Sequence, residues 1–60
     1  MKVVQIEYAT ISPAVLEAIV KRWFPTCMCV WIDKNEDYFE FTVYWVSDLS
    51  MLEDLLAEYI

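Results

Sequence analysis

Apolar and polar side chains alternate along residues 2–9, with Val4, Ile6 and Tyr8 on one side and Val3, Gln5 and Glu7 on the other. This alternation predicts a strand with one buried face. The spacing then lengthens. Val15, Leu16, Ile19, Val20 and Trp23 recur at helical intervals behind Ser12-Pro13, a good N-cap followed by the residue best tolerated in a first helical turn. Glu17 and Lys21 stand four apart in the favourable order, and Lys21 and Arg22 occupy the end where the helix dipole prefers cations. Phe24-Pro25 ends the helix. Residues 27–33 and 38–46 are rich in β-branched and aromatic side chains and predict a hairpin across Lys34-Asn35-Glu36-Asp37. Residues 48–60 return to helical spacing. Ser47 or Asp48 caps them, Ser50 with Glu53 offers a capping box, and Leu49, Leu52, Leu55, Leu56, Tyr59 and Ile60 form a broad apolar stripe that Met51 widens.

The order β-α-β-β-α gives an α+β domain spanning residues 1–60: a three-stranded sheet with two helices packed on one face. The long strand 38–46 is expected in the centre, with residues 2–9 antiparallel to it. An alternative order sets residues 2–9 beside 27–33, in parallel. Pairing Lys34 with Asp37 places Ile32 opposite Phe39, Val30 opposite Phe41 and Met28 opposite Val43, an apolar set for the helices to cover together with Trp45. The reverse face then pairs Asp33 with Tyr38, Trp31 with Glu40, Cys29 with Thr42 and Cys27 with Tyr44. A slip of one residue would mix the two sets, so the pattern itself is expected to fix the parity.

Composition sharpens this picture. The hydrophobic fraction is 60%, there is no Gly, and Pro appears twice. Ordinary domains reach roughly 45–50% with Gly included, and a short chain that buries so little of its own surface gains from surplus apolar content or self-association. The net charge is −6, and it is one-sided. Residues 1–30 carry Lys2, Lys21 and Arg22 against Glu7 and Glu17. Residues 31–60 carry Lys34 alone against Asp33, Glu36, Asp37, Glu40, Asp48, Glu53, Asp54 and Glu58. Such a half repels nucleic acid and anionic membrane and attracts basic protein surfaces.

The candidate chemistry is therefore recognition. With no His, no glycine-rich phosphate loop and no nucleophile elbow, catalysis has no constellation to rest on. Cys27 and Cys29 lack the further ligands that zinc needs and are expected as reduced, small hydrophobes. No cofactor is expected. The reverse sheet face, mixing aromatic rings with carboxylates, is the expected contact surface: Trp31, Tyr38, Glu40 and Tyr44 make the contact, while Asp33, Glu36 and Asp37 steer a basic partner. The expectation is a small acidic inhibitor or adaptor, of the kind phages and mobile elements carry, that occupies a basic and even nucleic-acid-binding surface of another protein. Imitation of nucleic-acid phosphates is one form this takes. The alternative is a structural homodimer built on the same face or on helix 48–60. The N-terminal residues reach Glu7 before a signal-peptide core forms, and no apolar run is long enough to span a bilayer, so the expected location is the cytoplasm.

Overall fold

A computed structural model describes Met1–Ile60 as β1 (Lys2–Glu7), α1 (Pro13–Trp23), β2 (Met28–Asp33), β3 (Tyr38–Tyr44) and α2 (Leu49–Leu56). The sheet order is β1-β3-β2, and both pairings are antiparallel. The α+β class and the central position of the third strand match the sequence reading, and the parallel β1–β2 arrangement is excluded. Both helices cover one face. Leu16 and Val20 of α1 and Leu52 and Leu56 of α2 are fully buried against Ile6, Phe39, Phe41 and Val43.

The helix ends follow from their caps. The Ser12 hydroxyl accepts from the Val15 N–H (3.4 Å), and Pro13 opens α1. Asp48 caps α2 by accepting from the Met51 N–H at 3.0 Å. The capping box of Ser50 and Glu53 is not used. α2 stops at Leu56, short of the expected Ile60. Its last turns carry no cation, and Glu53, Asp54 and Glu58 place negative charge where the helix dipole disfavours it. α1 is less deeply seated than its apolar spacing suggests. Val15 and Trp23 are more than half exposed, because a three-stranded sheet is too narrow to roof the whole stripe.

The hairpin register differs from the expected one by one residue. Met28 pairs with Tyr44, Cys29 with Val43, Val30 with Thr42, Trp31 with Phe41, Ile32 with Glu40 and Asp33 with Phe39. The cause lies in the turn. Pairing Lys34 with Asp37 needs a two-residue turn at Asn35-Glu36, and the favoured turn of that length requires positive φ at both central positions, which Glu resists. No residue of this turn has positive φ. Asn35 instead accepts through its side-chain oxygen from the N–H groups of Asp37 (2.7 Å) and Tyr38 (3.2 Å). Lys34 then donates to the Tyr38 carbonyl at 3.3 Å, leaving three residues to turn the chain. The slip inverts β2. Cys27, Cys29 and Trp31 lie on the helix side, and Met28, Val30 and Ile32 face away from the helices.

β3 also ends earlier than expected. Trp45 adopts φ 60°, the left-handed region, and takes the chain out of the sheet towards Asp48. Its ring is not covered by the helices; the residue is 70% exposed.

Candidate functional site

The face of the sheet opposite the helices has no covering element, and its rows can be read from the two registers. Val3, Thr42 and Val30 form the middle row; Gln5, Glu40 and Ile32 form the next; Glu7 and Tyr38 follow at the turn end. Tyr44 and Met28 close the other end. Thr42, flanked on both sides, is 8% exposed, whereas Val3, Met28, Val30 and Ile32 all remain open to solvent. The face is therefore polarised. One end is apolar: Met28, Val30 and Val3 adjoin Tyr44, whose ring lies 6.4 Å from that of Trp45. The other end is acidic, with Glu7, Glu40 and Asp37 around Tyr38.

The acidic end is also concave. Gln5, Glu7, Ala9, Asp37, Tyr38 and Ile60 line a shallow cleft of about 580 Å³. It offers two carboxylates, a phenol and an amide without a matching cation. Lys34 lies nearby but is engaged by Glu40 at 3.7 Å. Lys2 is held by Glu53 at 3.0 Å, tying β1 to α2. This lining has the acceptor atoms that an ammonium or guanidinium group would need.

The contact residues expected from sequence do not all share this face. Tyr38, Glu40 and Tyr44 stand on it, and Glu36 and Asp37 lie in the turn at its acidic end. Trp31 and Asp33 do not. Pairing with Phe41 and Phe39 turns them to the helix side, where Trp31 lies at the outer edge of β2 and is 39% exposed. The one-residue slip is the reason. The same slip brings Met28, Val30 and Ile32 onto the open face, and the end of β3 adds Trp45 beside it. The sequence pattern places all four on the covered side.

Cys27 and Cys29 are inside, with their sulfurs 3.8 Å apart and both thiols free. Burial pushes the Cys29 thiol up to about 12, and the hydrogen bond with Cys27 adds to this. A thiol so placed stays protonated near neutral pH and is a poor nucleophile. No cluster of three or more His, Cys, Asp or Glu side chains is arranged to hold a metal ion. No helix is long and apolar enough to cross a membrane. No protein-family model, curated protein or solved structure matches the chain.

Proposed function

We propose that this chain is a protein-binding module of the inhibitor or adaptor kind, and that it docks through the open face of its sheet. The observation that carries this reading is the polarity of that face: an apolar end built from Val3, Met28, Val30, Tyr44 and Trp45, and an acidic cleft at Glu7, Asp37 and Tyr38. An apolar surface of this kind on a small acidic chain favours burial against another protein. Tyr and Trp bury large area while freezing few torsions. The cleft selects a partner that presents Lys or Arg beside an apolar patch. The net charge of −6 speeds the approach to such a surface and disfavours nucleic acid as the direct ligand.

The test is affinity capture from the native host with the full chain, repeated with two face variants. Val3→Lys with Tyr44→Ala alters the apolar end of the face. Glu7→Lys with Asp37→Lys reverses the cleft. A protein that binds the wild type, weakens as salt is raised and is lost with both folded variants supports the reading. Competition by nucleic acid for that protein would identify the occupied surface as a nucleic-acid site. Retention of every captured protein by both variants, with cooperative thermal unfolding preserved, would overturn it.

A further inference from the structure

The outer edge of β2 borders the open face and shares Met28, Val30 and Ile32 with it, but its free backbone groups lie in the plane of the sheet. Because the Lys34 N–H donates to Tyr38, the hydrogen-bonded pairs of the hairpin fall at Lys34, Ile32, Val30 and Met28. The N–H and C=O groups of Cys29, Trp31 and Asp33 therefore point away from β3, along an edge with no neighbouring strand. Sheets usually guard such an edge with Lys, Pro or a bulge. Residues 28–32 contain no charge and no Pro, and Met28, Val30, Trp31 and Ile32 are all exposed large hydrophobics. The β1 edge is better guarded. It is flanked by Lys2 and Glu7, and the Thr10 N–H and hydroxyl both reach the outward carbonyl of Glu7, at 3.1 and 2.7 Å.

We infer that β2 pairs antiparallel with β2 of a second copy of this chain, about a two-fold axis beside Trp31, to give one continuous six-stranded sheet. The edge is self-complementary in this register. Cys29 meets Asp33 of the other copy, Trp31 meets its equivalent, and all six outward backbone groups of each strand find partners. Side chains match as well. On the open side Val30 lies against Ile32 of the other copy, and on the helix side the two Trp31 rings come together over the seam. A two-fold closes the assembly and leaves the guarded β1 edges outermost. The contact is small. A strand about 20 Å long with a flank of similar depth buries on the order of 400 Å² per copy, half of what a standard interface uses. An interface of this size falls in the weak, transient class, and the dimer is expected to fill only at high concentration, on the order of 100 μM.

Sedimentation velocity on the full chain across a concentration series reaching about 1 mM, the range that weak association requires, reads the mass. Amide hydrogen exchange by NMR on the same samples reads the surface. The expected result is a shift from 7.2 kDa towards twice that mass, with exchange at Cys29, Trp31 and Asp33 slowing as the dimer fills and Val3 and Gln5 unaffected. Trp31→Lys sets like charges face to face across the axis and weakens the dimer by on the order of tenfold or more. Asp33→Pro removes an outward N–H, sparing the ladder to β3, and does the same. Thermal unfolding shows that each variant keeps its fold. A wild-type chain that stays monomeric throughout, a dimer that leaves those three amides unprotected, a dimer insensitive to both folded variants, or growth beyond two copies would each overturn the inference. An added extended peptide that binds this edge of a monomeric chain would do so too. Partner capture through the open face is read separately, so either result stands without the other.

Discussion

Trp45 offers a test in which the sign of the effect matters more than its size. It is the one non-glycine residue with positive φ, at 60°, and the chain has no Gly to place there. The left-handed conformation costs an L-residue about 1–2 kcal/mol through the clash of Cβ with the following carbonyl. Trp45→Gly removes that clash, and Trp45→Ala keeps it. Both lose the ring, so the packing of the indole cancels in the comparison. Against Gly stands its greater freedom in the unfolded chain, about 0.4–1 kcal/mol. The balance leaves the Gly variant ahead of the Ala variant by about 0.8 kcal/mol. At ordinary helical or strand positions the order is reversed. For a domain of this size the difference corresponds to about 3–6 °C in Tm. Thermal and urea unfolding followed by far-ultraviolet circular dichroism measure it without relying on Trp fluorescence. An Ala variant equal to or more stable than the Gly variant would refute the assignment of strain to this residue.

Two further outcomes follow from the core and the turn. The Cys29 thiol is raised by burial from 9.0 to about 12 in the folded chain, so between these values the unfolded chain loses its proton first. The stabilisation is complete below pH 9 and falls as pH rises towards 12; urea midpoints at pH 8, 9 and 10 should therefore drop more steeply for the wild type than for Cys29→Ala, and equal slopes would contradict the burial effect. Asn35→Ala removes the acceptor for the Asp37 and Tyr38 N–H groups; a loss of about 1 kcal/mol, or about 4–8 °C in Tm, is expected, and an unchanged Tm would show that the side chain does not hold the turn.

Much of the fold was legible because each change of hydrophobic period coincides with an element boundary. Ser12-Pro13 and Asp48 mark helix starts, and the alternation of β1 gave its buried side correctly. The orientation of β2 was not legible from alternation. Both of its parities are apolar, with Met28, Val30 and Ile32 on one and Cys27, Cys29 and Trp31 on the other, so packing pattern alone does not choose between them. The turn chooses. Its signal lay in the absence of Gly and in Asn35, whose side chain bonds to the backbone two and three residues on. The candidate face was legible in part for the same reason: Tyr38, Glu40 and Tyr44 are fixed by the central strand, whereas Trp31 and Asp33 depended on the register. Trp45 reads as core because it is a large apolar residue in phase with Phe41 and Val43, and nothing local announces that the chain must leave the sheet to reach its next cap.

The central strand is also the last of the three to occur along the chain, and this orders how the sheet can assemble. β2 and β3 meet across a short turn, so their hairpin closes on the microsecond scale of local structure. β1 precedes β3 by 31 residues at Glu7 and Tyr38 and by 41 at Lys2 and Val43, and its pairing waits on the entropy of closing that longer loop. During synthesis β1 is therefore made well before the strand it pairs with, and that pairing waits for residues 38–44. The docking of β1, carrying α1 across the sheet, is then the expected slow step in acquiring the native state, and stopped-flow refolding should show substitutions at Val4 or Ile6 altering the folding rate differently from those that alter the hairpin.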